Sequence, residues 1–261
     1  MKKSSYILLI IVITIGTVIN SCDFFDLDLT NDPNYLKPED ASMDGYLNSM
    51  QINMVYFLND PLPAQWDGMN KFGMELCRMT NLFGATYSNA STPTSWDGVW
   101  SRAYDILTDA NLLIPEAESQ HMYVHAAMAK IISAYVLATM VDFFGDIPFS
   151  ESFDPENLNP HTDNDESLYE TAIAFLDAAI ADLDKASEGL PTTDLFYNGD
   201  TDKWVALAKS IKFKMLLNMR LINAADSKAK INALIADNDL IDEESEDFIF
   251  RYSTNRVDPD C

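Results

Sequence analysis

Cys22 is the residue with the most definite chemistry in this chain. It follows a short basic start, Met1-Lys2-Lys3-Ser4-Ser5, and an apolar run of 14 residues from Tyr6 to Ile19. A transmembrane helix needs about 20 apolar residues to cross the hydrocarbon core. The run is therefore short for a permanent span and suits the h-region of a cleaved export signal. It ends at Ile19-Asn20-Ser21-Cys22, with small residues before a thiol that cleavage would leave as the new N-terminus. The chemistry expected there is acylation of Cys22, palmitate included, after removal of residues 1–21. Two or more acyl chains hold a protein on a bilayer stably, where one does so only marginally. The alternative is an ordinary signal peptide with an incidental cysteine.

Other residues invite chemistry and answer to plainer readings. His121 and His125 stand four apart, a spacing that puts both on one helix face and can bind zinc. The stretch reads His-Met-Tyr-Val-His, without the glutamate that a metallopeptidase places after its first histidine. Two surface or capping histidines at a helix start are expected instead, with no metal and no cofactor. Acids cluster at Asp163-Asn-Asp-Glu166 and from Asp237 to Asp247. Calcium favours oxygen ligands in such loops, but Ile241 stands where the EF-hand pattern needs a third acid, so solvated caps and loops are expected. With 41 acids, chance carboxylate pairs carry little information about glycoside hydrolysis. Cys77 lies in Met74-Glu-Leu-Cys-Arg-Met79 and reads as a small buried hydrophobe. Whether it pairs with Cys261 stays open, and two remaining thiols make no disulfide framework.

Charge narrows the partners. The chain carries 17 basic and 41 acidic residues and a net charge of −24. Removing residues 1–21 takes away Lys2 and Lys3 and no acid, leaving −26. Phosphate binding needs a basic face, so nucleic acid is excluded as a partner. Such a charge keeps an exported protein dispersed.

The elements that must position these residues are helical almost throughout. Pro38-Glu39-Asp40 opens a first helix to about Phe57, since proline in the first turn loses no hydrogen bond there. A second is expected over about Gln65–Leu82, then a polar loop over 84–94. The third runs from Ser95 to about Glu118 on the stripe Val99, Trp100, Ala103, Ile106, Leu107, Ala110, Leu113 and Ile114. The fourth runs from Ser119 to Phe144, rich in alanine and stopped by Gly145. A polar connection follows, with a rigid corner at Gly145-Asp-Ile-Pro148. The fifth opens on a capping box at Ser167-Leu-Tyr-Glu170 and reaches about Ala186. The sixth covers Thr201 to about Asn223 and the seventh Ser227–Ala236. Asp247–Tyr252 alternates like a strand. Third with fourth and fifth with sixth make two antiparallel pairs, so the fold expected is all-α, of tetratricopeptide-like pairs with little β.

Sugar recognition uses aromatic rings against the apolar faces of pyranoses and polar side chains for the hydroxyls. In loops and at loop edges the candidates are Trp66, Tyr87, Asn89 and Trp96. Trp100 and Trp204 fall on helix faces and read as core.

Several stretches resemble the SusD/RagB family of SusD-like lipoproteins. They are Thr30-Asn-Asp-Pro-Asn34 after the cysteine, Trp96-Asp-Gly-Val-Trp-Ser-Arg-Ala-Tyr104, and Asp109-Ala-Asn111. Further on come Val141-Asp-Phe-Phe-Gly-Asp-Ile-Pro-Phe-Ser-Glu151 and Tyr197-Asn-Gly-Asp-Thr-Asp-Lys-Trp204. The Gly-Asp-Ile-Pro stretch is the most specific. The resemblance implies a surface lipoprotein of the outer membrane that binds oligosaccharides, or peptides, and hands them to a SusC-like TonB-dependent transporter. It implies no catalytic residues. It also implies a helical domain over 22–261 that is incomplete at its C-terminus, because family members are much longer. Two other classes stay open: a lipid-anchored glycan hydrolase, and a helical-repeat scaffold that holds only protein partners.

Overall fold

The computed structural model describes residues 42–59, 68–79 and 96–252. Seven α-helices are defined among them: α1 Met43–Leu58, α2 Met69–Leu76, α3 Asp97–Ser119, α4 Tyr123–Phe144, α5 Asp165–Leu183, α6 Thr201–Asn218 and α7 Ala224–Asp237. One two-stranded ribbon, β1 Ile147–Pro148 with β2 Thr162–Asp163, pairs antiparallel with Ile147 opposite Asp163.

Capping decides where the helices begin, and it moves several expected boundaries. Pro38 lies outside the described residues. Ser42 is extended and its hydroxyl accepts the Gly45 N–H at 3.0 Å, so α1 begins at Met43. A serine at that position satisfies one of the four N–H groups that a helix start leaves unpaired. α5 opens at Asp165 and not at the expected Ser167. Its cap is Asn164, whose side chain accepts the Glu166 N–H at 3.1 Å, and two acids in the first turn suit the positive end of the dipole. Ser167 instead donates to the Asn164 carbonyl at 2.7 Å. α4 begins at Tyr123, four residues later than expected, because α3 continues through Ser119 and His121 takes a left-handed φ of 58°. α2 stops at Leu76, short of the expected Leu82, and Arg78 has a φ of 57°. Cys77 therefore falls beyond the helix and is exposed, which overturns its reading as a buried hydrophobe. α6 gives way to a 3-10 turn at Met219–Leu221, and α7 is longer than expected at both ends.

The core centres on α4. It packs against α1, α3 and α5, and its contact with α5 is the most extensive in the molecule. The expected pairs α3–α4 and α5–α6 both form. Ala126, Ala127, Ala129 and Ala134 are fully buried. Side chains that small let neighbouring helices approach closely on several sides, which is why α4 is buried nearly all round. Among the described residues α4 alone has the length and composition to cross a membrane, and most of it is enclosed by the other helices.

No ladder forms at Asp247–Tyr252 among the described residues, which corrects the expected strand. The alternation is real in burial. Phe248 stacks on Phe196 with centroids 4.0 Å apart, Phe250 is half-buried, and Ile249 is exposed between them. Period-two patterning reports which side chains face inward, whereas a strand also needs a backbone partner.

Candidate functional site

Trp96 caps α3 without a side-chain cap bond, at the edge of the segment 80–95 that lies outside the described residues. Its indole is half-buried and packs edge-on to Phe144 at 5.3 Å and tilted against Phe143 at 6.0 Å. Trp100, one turn on, touches Phe144 at 5.1 Å and stacks on Tyr104 at 5.6 Å with only 11° between the rings. The N-terminus of α3 and the C-terminus of α4 thus share an aromatic cluster. Phe143 is its exposed member, at 43 % of full exposure. Sequence reasoning passed over it. The signal was there: Phe143 and Phe144 are adjacent on one helix, about 100° apart in projection, so a single buried face cannot take both.

The corner after α4 holds this cluster in place. Gly145 has a φ of 73°, a conformation that favours glycine, and its N–H still bonds the Val141 carbonyl at 2.9 Å. Asp146 accepts the Asp165 N–H at 2.9 Å, which ties the corner to the start of α5. Tyr104 reaches from α3 to donate to the Pro148 carbonyl at 2.5 Å. Burial, with the nearby Asp163 charge, pushes its phenol up to about 12. Asp163 accepts the Phe149 and Ser150 N–H groups, both at 2.8 Å, and the Ser150 hydroxyl at 2.7 Å. The Gly-Asp-Ile-Pro stretch is thus a rigid bracket joining α3, α4 and α5, as its local chemistry suggested.

A second bracket fastens the loop between α5 and α6. Asp44 of α1 accepts the Thr192 N–H at 3.1 Å, the Thr192 hydroxyl at 2.9 Å and His125 Nε2 at 3.0 Å. Gln51, fully buried, donates to the Thr193 carbonyl and accepts the Leu195 N–H. His125 is fully buried on α4 while His121 sits in the turn before it, so the two histidines share no helix face and His125 is no surface residue. This arrangement makes Nε2 the protonated nitrogen and leaves Nδ1 buried without a partner. No group of three histidine, cysteine or acidic side chains is placed to hold a metal ion among the described residues.

The acids of both brackets act as hydrogen-bond acceptors for backbone and neighbouring side chains. Partial burial works to raise the Asp44 carboxyl, but the donors from Thr192 and His125 outweigh it and hold it below its ordinary value. Asp163 behaves likewise: burial opposes, and Ser150 and Phe149 lower it. A depressed carboxylate stabilises the fold above its unfolded value near 3.8 and loses that contribution as pH falls through the folded value. Asp44→Asn is expected to lower stability by about 1–2 kcal/mol at pH 7, the scale of hydrogen bonds to a partly exposed charged group. The difference from the parent protein should shrink as pH falls below the unfolded value of 3.8 and through the lower folded one. Urea titrations across that range check it. A deficit that stays constant into acid would show that the asparagine acts by shape and not by charge.

Of the residues singled out in the sequence, Cys22, Trp66, Tyr87 and Asn89 lie outside the described residues. Trp96 is described, and it joins Phe143 as above. Trp204 is fully buried and Trp100 packs half-buried against the core, as their helix positions implied.

Seven helices stacked in neighbouring contact, with aromatic side chains at one end of a central pair, define a helical scaffold of the repeat-pair type. The family model described as "Starch-binding associating with outer membrane" matches residues 35–259, and the chain belongs to this SusD-like family. Among solved structures it is similar to a SusD/RagB family protein from Bacteroides thetaiotaomicron, at 25% identity over 82% of this chain and 46% of that one, with a TM-score of 0.68. A chitin-binding SusD homolog from Flavobacterium johnsoniae shares the fold at 19% identity over 76% of this chain and 43% of that one, with a TM-score of 0.58. A SusD homolog from Bacteroides uniformis does so at 17% identity over 80% and 45%, with a TM-score of 0.62. The chain spans less than half the length of these structures. No curated protein matches it.

Proposed function

We propose that this chain forms part of a lipid-anchored outer-membrane protein that captures oligosaccharide and passes it to a SusC-like TonB-dependent transporter. The observation that carries the reading is the family match over residues 35–259. The chitin-binding relative agrees with a glycan as ligand. Acylated Cys22 supplies the anchor, and the protein acts by binding, without catalysis. Trp96 and exposed Phe143 are the described candidates for ring contacts with the ligand, and Trp66, Tyr87 and Asn89 are candidates on their sequence positions alone. Rings so placed offer flat apolar faces to a pyranose, on a scaffold whose brackets keep them still. Affinity is expected between about micromolar and millimolar, because a few stacking contacts only modestly offset the ordering of a flexible sugar.

The test uses the full protein from an outer-membrane fraction. Mass spectrometry should find acyl chains on Cys22. Calorimetry against soluble glucans and chitin oligosaccharides should find a ligand whose affinity falls at least several-fold in Tyr87→Ala/Trp96→Ala and in Phe143→Ala, with helicity unchanged. A panel with no binding member, or release of shortened products from it, would overturn the binding reading.

A further inference from the structure

Seven of the chain's 17 basic residues fall within residues 203–230, a stretch that holds one acid, Asp226. It comprises most of α6, the 3-10 turn Met219–Leu221 and the first half of α7. The whole chain carries −24, so the local sign runs against the global one. At physiological salt an exposed charge acts over about 8 Å. A partner at the α6–α7 turn therefore meets the basic stretch and not the distant acids.

Four of the seven cations are neutralised within the molecule. Lys203 pairs with Asp200, Lys209 with Asp237 and Asp239, Lys212 with Asp177, and Lys230 with Asp226. The other three, Lys214, Arg220 and Lys228, are exposed and pair with no carboxylate among the described residues. Lys214 stands 5.7 Å over the Tyr135 ring, and Arg220 donates to the Leu217 carbonyl at 2.7 Å. Both contacts leave the positive charge uncompensated.

Large aliphatic side chains stand among these cations. Leu221 is 83% exposed and Ile222 76%, and Leu217 is exposed one turn earlier. Lys214, Leu217 and Leu221 are three and four residues apart, so they share one side of the helix. Of α7 only Ser227 is buried, which keeps this hairpin end at the surface. Nucleic acid would use the cations and leave the aliphatic pair in water. The interface of an anionic bilayer uses both: aliphatic groups enter the acyl boundary while Lys and Arg stay at the headgroup phosphates.

We propose that the α6–α7 turn docks on a lipid bilayer bearing anionic headgroups, with Leu221 and Ile222 inserted at the interface and Lys214, Arg220 and Lys228 on the phosphates. A weak contact suffices beside a lipid tether, which holds the patch at high effective concentration. It adds orientation, because a tether alone leaves the helical body free to turn. The docking is independent of the glycan reading, and the assay omits the acyl chain so that its result is separate from the Cys22 anchor.

Residues 22–261 carrying Cys22→Ser are sedimented with vesicles of phosphatidylcholine, alone or mixed with phosphatidylglycerol. At low salt the mixed vesicles should bind at least about tenfold more tightly than the neutral ones, and added salt should release the protein. Leu221→Ser/Ile222→Ser and Arg220→Gln/Lys228→Gln should each weaken binding at least about fivefold. These side chains are exposed, so circular dichroism and the melting point should not change. No binding at lipid up to about a millimolar, equal binding to neutral vesicles, or binding indifferent to both double variants would each overturn the proposal. A dimer that Leu221→Ser/Ile222→Ser dissociates, with no vesicle binding, would assign the patch to a second copy instead.

Discussion

Asp182→Ala is expected to lower the free energy of unfolding by about 3–5 kcal/mol, enough to threaten the fold. Asp182 on α5 is 3% exposed and Lys130 on α4 is 5% exposed. Their side chains are in direct contact, and the Lys130 ammonium also meets Glu118 of α3. Lys185 adds a bond to Asp182 at 2.6 Å. One buried ammonium on α4 therefore ties together the C-terminal turns of α3 and α5. Removing Asp182 leaves that ammonium desolvated, with only Glu118, itself 45% exposed, to balance it. Desolvation of a lone charge outweighs what one half-wet partner returns. The double replacement Lys130→Met/Asp182→Leu removes both charges and fills the space with apolar atoms. It should recover most of the loss, since a buried pair is often no better than well-packed hydrophobes of similar volume. Urea unfolding at pH 7 of the parent, Lys130→Met, Asp182→Leu and the pair gives the coupling. A loss below about 1 kcal/mol for Asp182→Ala would mean that water reaches Lys130, and the buried-pair account would fail.

How such a contact escapes sequence reading is instructive. Lys130 is visible as an interruption of the apolar stretch from Ala126 to Phe144, but nothing local marks Asp182, 52 residues away, as its partner. Helical periodicity located every described α-helix, because burial of one face repeats within the helix itself. Ends depend on single side chains competing for a few N–H groups, and there the reading slipped: Asn164 caps in place of Ser167, and His121 in a left-handed turn moves the start of α4 from Ser119 to Tyr123. The same turn separated His121 from His125, and only tertiary packing shows that His125 is buried against Asp44. The aromatic motif at Trp96 was legible as a helix start meeting a loop. That its ring packs on Phe143 and Phe144 was not, since it depends on how α3 and α4 lie together. Family resemblance identified the scaffold through stretches whose described roles are structural: the Gly145–Pro148 corner and the Tyr197–Trp204 turn hold helices in place.

That second turn carries the other large expected effect. Trp204→Ala should destabilise the protein by about 3–5 kcal/mol, the range for emptying a buried aromatic site. Trp204 is fully buried, with its ring edge-on to Tyr197 at 5.5 Å, Phe248 at 5.8 Å and Phe196 at 6.2 Å. Its indole N–H donates to Asp194 Oδ2 at 2.8 Å. The same carboxylate accepts the N–H groups of Phe196, Tyr197 and Gly199 at 2.9–3.1 Å, so it organises the whole turn into α6. Asn198 and Gly199 adopt left-handed φ values of 56° and 87° inside that turn, and the carboxylate holds them there. Trp204→Phe separates the two contributions. It keeps most of the ring but drops the N–H, and should cost about 1–2 kcal/mol. For a domain of this size, 3–5 kcal/mol corresponds to a melting point lower by about 6–20 °C. Thermal unfolding followed by circular dichroism reads both variants. Hydrogen exchange of the Phe196, Tyr197 and Gly199 amides adds a local readout: in Trp204→Phe these amides should exchange only modestly faster, because Asp194 still receives three backbone donors. Amides that open as fast as in Trp204→Ala would show that the indole N–H, and not ring packing, holds the turn closed.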